Sequence, residues 1–515
     1  MSLFKIAWRS IQQRGVASAL TMFSMALGVA MVVAVLSIHG VVARSFRNNA
    51  SLGYNLIVGA KGGRLDLTLN TVYYLSKPVE NIPFAFLTEF MSREARDEAF
   101  RDSIQFQTLQ LQHDTWQAAA SAGLASSWGL EGVALLAAEQ GLYGARTVTL
   151  DLGRDGKYAQ FTGLAAPVCL GDYFGHFRVV GTTPAMFDEL KFGPAADQSY
   201  EFAQGRNFQT WNPENGYYEA VVGSSVAREL NVQLGDGISP SHGDPEGESH
   251  SQKFTVVGIL APSATPNDRA VFVNMEGFYL MDDHAKPLEE AGDSLAATPA
   301  AASTPAAAQQ ARLPVEQREV TSILVRTSNP FVAMSLPNLI NEGPNAQCVL
   351  PVREITGLFE FIVKPIQVLL LVLTALICVV SGISILVSIY NSMSDRRHEI
   401  AVMRALGASR ETVMSVILLE SVLLSLGGGA LGWMGGHTLN AVASPYIEER
   451  TGVSIGFFDL APPVESLELA GLGTIIGKMS LELAIIPSLL LLAMVVGLLP
   501  AVAAYRTDVA KSLGS

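Results

Sequence analysis

Four long stretches of this 515-residue chain are almost free of charge. Residues 16–43, 366–394 and 483–505 contain no Asp, Glu, Lys or Arg, and residues 412–444 contain only Glu420. A helix that spans a bilayer needs roughly 20 apolar residues, whereas buried helices of globular proteins are usually shorter. The pattern therefore predicts four transmembrane helices, here numbered the first to the fourth span, at residues 16–43, 365–394, 412–444 and 483–505.

The first span follows three basic residues, an arrangement that also occurs in cleaved signal peptides. Its apolar stretch is about twice as long as the usual signal-peptide core of roughly 7–15 residues, and three further spans follow it. We therefore expect an uncleaved helix.

Residues 1–15 are predicted to form an amphipathic cytoplasmic helix at the membrane interface, because helical spacing gathers apolar side chains on one side. These side chains belong to Leu3, Phe4, Ala7, Trp8 and Ile11. A short frayed cytoplasmic tail is the alternative.

Basic residues mark the segments that we expect in the cytoplasm. Nine Lys and Arg lie before the first span, between the second and third spans, and in the tail 506–515. The loop 445–482 between the third and fourth spans has only Arg450 and Lys478 against six acidic residues. Because Lys and Arg concentrate on the cytoplasmic side, we expect both termini in the cytoplasm and residues 44–364 outside.

Residues 44–364 are long enough to form a domain with its own core. Helical patterns occupy 86–100 and 116–140, and alternating patterns predict strands near Asn55 and at 147–152, 177–180, 219–222, 253–260, 270–273 and 320–326. The predicted fold is therefore a membrane protein with one span, a large external α+β domain and three more spans.

Two segments of the external domain are interpreted as inserts. One is helical and covers about residues 84–145. The other, at about residues 285–314, is rich in Ala and Pro and cannot bury enough apolar surface to offset its ordering entropy, so we expect it to be disordered.

Charge and motifs exclude several classes of function. The net charge is −13, and residues 44–364 alone carry 23 Lys and Arg against 36 Asp and Glu. A nucleic-acid-binding protein needs a basic face, so we expect no nucleic-acid partner. The chain has no Walker A lysine, no HExxH and no GxSxG motif. We therefore expect that it is not an enzyme and that it holds no cofactor of its own.

One polar run could bind a metal ion. Residues 241–250 carry three acidic residues between His242 and His250, and such nitrogen and oxygen ligands can hold Zn²⁺. A polar hairpin loop between two strands accounts better for the Gly and Pro residues of the run. We therefore predict no metal site and keep His242 and His250 as weak candidates.

A short amphipathic helix is predicted between the second and third spans, within residues 395–411. Ser394 or Asp395 provides its N-cap and Gly407 ends it. Its charged residues lie on one face, and the other face is apolar, formed by Ile400, Met403 and Leu406 or Gly407. Such a helix is suited to contact a partner; a surface connector without a partner is the alternative.

Several motifs resemble those of a known family. The run RRHEIAVMRALGASR at residues 396–410, the LLESVLLSLGG that follows it, and LLPAVAAYRTDVAKSL near the C-terminus resemble the permease domain of the MacB/LolC/FtsX family, also called type VII ABC transporters. External segments such as GRNF at 205–208 and AVVGSSVAREL at 220–230 resemble its MacB-like periplasmic core domain. The resemblance covers nearly the whole chain apart from the two inserts.

The resemblance implies a function. Permeases of this family dimerise, as homodimers or with a paralogous permease, and each copy binds a separately encoded cytoplasmic ABC ATPase, so that ATP is bound by the partner subunit. Motion then passes through the first and second spans to the external domain, which is termed mechanotransmission. The ATPase contacts the short cytoplasmic helix, whose matching residues here are Glu399, Ile400, Met403, Arg404, Leu406 and Gly407.

The resemblance also implies a location and partners. It indicates the bacterial cytoplasmic (inner) membrane, with an envelope lipoprotein, lipid or peptide as substrate and a periplasmic adaptor as a further partner. An alternative function is that of a regulator, which transports nothing and passes ATPase-driven motion to a periplasmic cell-wall hydrolase or another partner. The large external domain, with its helical insert, would then bind that partner.

Two features of the third span call for an explanation. Glu420 lies within it, where a charge costs ~2.5–3.5 kcal/mol or more. We expect a buried hydrogen bond that holds helices together, with coupling to the short cytoplasmic helix as the alternative. Gly428, Gly432 and Gly436 recur every four residues on one helix face, which permits close helix packing. A contact within the dimer is one option for this face.

Overall fold

The computed structural model describes residues 3–49, 52–75, 77–78, 80–125, 129–193, 197–263, 265–282, 284–286, 312–395, 397–451, 455–460 and 480–505. The chain divides into two compact units. The helical unit comprises Met1–Ser45 and Leu358–Ser515, and the sheet unit comprises Phe46–Gly357. Most of the Ala/Pro-rich insert and all of the tail 506–515 lie outside the described residues, so the predictions for them stay predictions.

Helices occur in both units. Within the described residues the α-helices are α1 (Leu3–Gln13), α2 (Gly15–Asn49), α3 (Arg64–Tyr73), α4 (Phe84–Thr88), α5 (Arg93–Phe100), α6 (Ile104–Ala125), α7 (Gly129–Thr149), α8 (Ala185–Asp188), α9 (Ser224–Leu230), α10 (Met275–Tyr279), α11 (Val332–Asn341), α12 (Pro351–Leu358), α13 (Lys364–Asp395), α14 (Arg397–Ala405), α15 (Arg410–Thr451) and α16 (Ile485–Tyr505).

Four of these described helices are long and apolar enough to cross a membrane. They are α2, α13, α15 and α16, called candidate spans 1 to 4 below. Candidate span 3 is longer than the predicted span 412–444, because the helix continues through Pro445 to Thr451. The Ser444 hydroxyl accepts a hydrogen bond from the Ile455 N–H at 2.8 Å, which holds the returning chain against the end of this helix.

The core of the sheet unit is a ten-stranded mixed sheet. The strands among the described residues are β1 (Leu56–Gly59), β2 (Ile82–Pro83), β3 (Thr162–Phe174), β4 (Phe177–Thr182), β5 (Lys191–Phe192), β6 (Gln198–Ser199), β7 (Phe202–Gly205), β8 (Glu219–Val222), β9 (Gly237–Ile238), β10 (Phe254–Leu260), β11 (Ala270–Asn274), β12 (Glu319–Val320), β13 (Ser322–Thr327) and β14 (Gln347–Val349). The order of the large sheet is β14-β1-β13-β3-β4-β11-β8-β10-β7, with β9 beside β10, and the β4–β11 and β8–β10 pairs are parallel.

Both faces of this sheet are buried. Neighbouring residues of one strand enter different apolar clusters: Ile57 belongs to one and Val58 to the other, and the same holds for Phe272 and Val271. Strands covered on both faces have continuous apolar sequences. This explains why the sequence indicates strands at 177–180, 219–222, 253–260, 270–273 and 320–326. The strand predictions at these positions are confirmed.

The helical insert contains α4 to α7, and α6 packs against α7 through the stacked rings of His113 and Tyr143, 4.0 Å apart. The strand predicted at 147–152 is wrong, because α7 continues to Thr149. The Thr147 hydroxyl donates to the Gly144 carbonyl at 2.8 Å. This bond to the preceding turn accommodates a β-branched residue in a helix.

The 13-residue strand β3 is not apparent from the sequence pattern. Pro167 and Gly171 interrupt it, and both residue types normally disfavour a strand interior. Pro167 nevertheless pairs with β13, and its carbonyl accepts a hydrogen bond from the Thr182 hydroxyl at 2.7 Å. Beyond Leu170 the register shifts, and the resulting bulge contains Gly171 and Asp172.

Candidate functional site

The short helix α14 is fixed to the helical unit by one apolar side. Ile400 is buried and Met403 is half-buried, and both belong to a cluster that includes Val413 and Ile417 near the start of candidate span 3. Ala401 is buried as well. This side of α14 therefore packs within its own chain and is not available to a partner.

The other side of α14 is exposed and also apolar. Leu406 is 84% exposed, and Val402 is exposed four residues before it. Helical spacing places residues four apart on the same side, so Leu406 shares the outward side of Val402, whereas the sequence interpretation groups it with Ile400. Gly407 then ends the helix with φ +98°, a left-handed conformation that favours glycine.

The remaining residues of the predicted contact set can be placed in part. Arg404 is half-buried in the last turn of α14. Glu399 lies within α14, and its side chain is outside the described residues. After the turn, the Ser409 hydroxyl accepts a hydrogen bond from the Thr412 N–H at 3.1 Å and caps candidate span 3.

Glu420 attaches α1 to candidate span 3. Its side chain is 5% exposed and accepts hydrogen bonds from Ser10 Oγ at 3.0 Å and Arg14 Nη1 at 3.1 Å. Ala7 and Ile11 are buried on the same side of α1 as Ser10. Three large apolar residues of α1 are exposed, namely Leu3, Phe4 and Trp8. Exposed apolar side chains on a short helix are typical of a helix at a membrane interface.

The glycine stripe of candidate span 3 packs against candidate span 1 of the same chain. A Cβ atom added to Gly432 would lie 2.4 Å from the Ala26 carbonyl oxygen, and one added to Gly436 would lie 2.8 Å from Val33 Cβ. Gly428 lies equally close to candidate span 1. The two backbones approach this closely because glycine has no side chain.

Sequence reasoning missed a second buried polar pair on candidate span 3. His437 Nε2 lies 3.1 Å from Glu482 Oε2, and both side chains are buried. At 1.5 Å per residue, Glu420 and His437 are about 25 Å apart along the helix, close to the ~30 Å thickness of a bilayer's hydrocarbon core. The only sequence signal is a histidine in an apolar span, because its acidic partner is 45 residues away.

His242 and His250 come together with two residues that sequence reasoning also missed, Asp172 of β3 and His284 after α10. One ligand atom from each lies within 4.8 Å of the others. Burial lowers the pKa of His250 below its ordinary value, although the neighbouring Asp172 acts in the opposite direction. Asp172 and His284 come from segments far from the run 241–250, so local spacing indicates His242 and His250 but not the other two residues.

Two family domains match consecutive parts of the chain. The MacB-like periplasmic core domain matches residues 18–313, from candidate span 1 through most of the sheet unit. The FtsX-like permease C-terminal domain matches residues 371–509, which include α14 and candidate spans 3 and 4.

Curated relatives match at low identity. The chain is 21% identical over 251 residues to the lipoprotein-releasing system transmembrane protein LolE of Haemophilus influenzae, covering 48% of this chain and 53% of the relative. It is 25% identical over 161 residues to the macrolide export ATP-binding/permease protein MacB of Rhodopirellula baltica, covering 31% of this chain and 21% of the relative. An uncharacterized ABC transporter permease of Methanocaldococcus jannaschii is 21% identical over 255 residues, 48% of this chain and 53% of the relative. The chain thus spans about half or less of the length of these relatives.

Proposed function

Because the chain belongs to the MacB/LolC/FtsX family of type VII ABC transporter permeases, we propose that it couples a separate cytoplasmic ABC ATPase dimer to the sheet unit outside the membrane. The exposed side of α14 carries this proposal. Val402 and Leu406 form an apolar contact surface on a helix that Ile400 fixes to the helical unit. A helix anchored on one side can pass a partner's movement to the structure that holds it.

Movement of α14 reaches candidate span 1 in two ways in this proposal. The buried cluster links α14 to the start of candidate span 3, and Glu420 links that span to α1, which leads into candidate span 1. The glycine stripe also holds spans 1 and 3 in close contact. Helix α2 continues as one helix to Asn49, beyond Ser45 at the edge of the helical unit. The moving helix thus leads directly into the sheet unit.

The remaining parts of the proposal concern the assembly. The chain acts as a multi-pass protein of the inner membrane with both termini in the cytoplasm, in a homodimer or with a paralogous permease. It has no catalytic function of its own, and the ATPase partner binds ATP. Its substrate is an envelope lipoprotein, lipid or peptide, with a periplasmic adaptor as a further partner. The lipoprotein-releasing function in the name of the LolE relative favours a lipoprotein.

A second candidate function is regulation of an envelope hydrolase without transport. The observation that favours it is the pair of helices α6 and α7, which exposes large apolar side chains to solvent. Such side chains offer contact area to a protein partner; they include Leu111, Trp116, Val133 and Leu142.

The coupling proposal predicts that Leu406→Glu weakens binding of the ATPase. A charge in the centre of an apolar contact costs at least about 1.4 kcal/mol, which is a tenfold loss of affinity. The full chain is co-expressed with its proposed ABC ATPase partner, and co-purified ATPase and ATP hydrolysis are measured. Both should fall about tenfold or more. Phe458→Glu is the control, because Phe458 is 81% exposed and lies in the loop predicted outside.

Normal ATPase recovery and hydrolysis with a folded Leu406→Glu protein would overturn the coupling proposal.

A photo-crosslinker placed at Trp116 of the full chain distinguishes the two candidate functions. Crosslinks to a lipoprotein, lipid or peptide support transport, and crosslinks to a hydrolase support regulation.

A further inference from the structure

Asp172 lies in the bulge of β3, within the sheet unit. The next residue, Tyr173, exchanges two backbone hydrogen bonds with Ser241, at 3.0 and 2.7 Å. Ser241 belongs to a small hairpin that carries His242 and His250. Backbone pairing therefore holds these two histidines beside Asp172.

His284 approaches Asp172 from a third segment, the chain after α10. Its ring packs against Phe278 at 4.4 Å between ring centroids. The side chains of His250 and His284 are buried, that of Asp172 is 0% exposed, and that of His242 is 54% exposed. The cluster therefore has a buried base and one side open to solvent, through which an ion can enter.

Three ligand atoms of this cluster lie nearly as far apart as the ligands of a tetrahedral zinc ion, and the fourth residue, His242, lies beside them. His284 Nε2 and His250 Nε2 lie 3.1 and 3.2 Å from Asp172 Oδ2 and 3.3 Å from each other. His242 Nδ1 lies 3.5 Å from Asp172 Oδ1. Zinc bonds of about 2.0–2.2 Å imply tetrahedral edges of about 3.3–3.6 Å. Three of the atoms thus form a nearly equilateral face of about the required size.

The protein alone does not satisfy the carboxylate of Asp172. Neither of its oxygens accepts a hydrogen bond from any described residue, although three imidazole nitrogens lie close by. Arg178 interacts with it electrostatically and stacks on Tyr173 at 4.1 Å, without donating a hydrogen bond to it. A buried carboxylate that accepts no hydrogen bond is unfavourable, and a bound cation removes that penalty.

We propose that Asp172, His242, His250 and His284 together bind one Zn²⁺ ion. Imidazole ligands favour a transition metal over Mg²⁺ and Ca²⁺, which prefer all-oxygen sites. Four protein ligands complete a tetrahedral shell, as in structural zinc sites. The ion joins β3, the hairpin and the segment after α10, so its binding stabilises the sheet unit. This site is independent of the coupling function.

Metal analysis of the full chain tests the proposal. The protein is purified in detergent with an affinity tag that contains no histidine, and it is dialysed against dilute zinc. We expect one Zn²⁺ per chain, a rise in unfolding temperature when zinc is added, and a Co²⁺ derivative with the strong visible absorption of tetrahedral cobalt.

The variants His284→Ala and His242→Ala should each weaken zinc affinity at least about tenfold, because loss of a residue that only hydrogen-bonds to a metal ligand already has an effect of this size. Zinc affinity is measured by competition with a chromophoric chelator. His176→Ala is the control, since His176 pairs with Glu229 at 3.2 Å and lies outside the cluster. If His284→Ala does not fold, the zinc affinity of His242→Ala decides the test, because the His242 side chain is half-exposed.

Three results would overturn the zinc site. The first is less than stoichiometric zinc in the unmodified chain. The second is equal zinc affinity of His242→Ala and the unmodified chain. The third is a weak, octahedral Co²⁺ spectrum, which would exclude the four-ligand shell.

Discussion

Glu420 can be buried in an apolar helix because Ser10 and Arg14 satisfy its oxygens. These hydrogen bonds join α1 to candidate span 3 at a position where water is nearly excluded, since the Arg14 side chain is also only 18% exposed. The hydrogen bonds of Glu420 therefore hold α1 against candidate span 3.

Glu420→Ala should lower the unfolding temperature of the detergent-solubilised chain. It removes hydrogen bonds to a charged group, which are worth about 1.5–3 kcal/mol each. Glu411→Ala is the matched control, because Glu411 is exposed on the same helix, and it should change the temperature little. Similar unfolding temperatures of the two variants would show that the Glu420 contacts do not hold α1 in place.

A second ion pair lies in the sheet unit and involves Arg206 of the GRNF motif. Arg206 donates two hydrogen bonds to the buried Glu219, at 2.6 and 2.9 Å. Burial acts to raise the pKa of Glu219, but the hydrogen bonds from Arg206, the Gln209 N–H and Asn215 outweigh it and hold this pKa below its ordinary value.

This lowered pKa makes the stability contributed by Glu219 depend on pH. The contribution is present above the unfolded-state pKa of glutamate, about 4.3, and is lost as pH falls through the folded-state pKa. Glu219→Gln should therefore unfold at a lower temperature than the unmodified chain at pH 7, and the difference should shrink below about pH 4. A difference that stays constant from pH 7 to pH 3 would contradict this account.

Single residues differ in how far their roles can be predicted from sequence. Glu420 is conspicuous because it is the only charge in its span, whereas its partner Arg14 is 406 residues away and lies in a segment with other basic residues. Asp172 is less visible, since only folding brings it to His284. Pairs that depend on tertiary structure leave no local pattern.

At the scale of elements, the glycine stripe sets the distance between candidate spans 1 and 3. Gly432→Ala should lower the unfolding temperature, because its Cβ would lie 2.4 Å from the Ala26 carbonyl oxygen. Gly435→Ala is the control on the same helix, where an added Cβ meets nothing within 4 Å. Alanine there should be neutral or stabilise the helix by roughly 0.5–1 kcal/mol. Equal effects of the two substitutions would show that the stripe does not set the helix packing.

Elements are predictable from sequence where one local pattern decides them. The charge-free stretches correspond to long helices, and continuous apolar runs correspond to strands that are buried on both faces. The strand β3 is not predicted from sequence, because Pro167 and Gly171 interrupt its pattern and pairing with the neighbouring strands stabilises it. The end of α7 is wrongly predicted as a strand, because its β-branched residues are typical of strands. Packing of α7 against α6 stabilises the helix there.

For the whole molecule, the division of the chain into two units explains its unusual composition. Hydrophobic residues make up 49% of the chain and charged residues only 16%, since four long helices consist largely of apolar residues. Residues 44–364 carry 13 more acidic than basic residues, 36 against 23, and net charge favours solubility. Composition thus indicates the two-part organisation, whereas the internal attachments of each part require the folded structure.

In the proposed function, the ATPase moves the sheet unit through this chain. Spin labels on Ser121→Cys in the exposed face of α6 test it in the complete complex, in a Cys378→Ser background, because Cys169 and Cys348 are buried. The distance between labels of two copies is measured with and without ATP. We predict that ATP shifts the distance distribution and that Leu406→Glu abolishes the shift. Identical distributions with and without ATP, in a complex that hydrolyses ATP normally, would contradict the account.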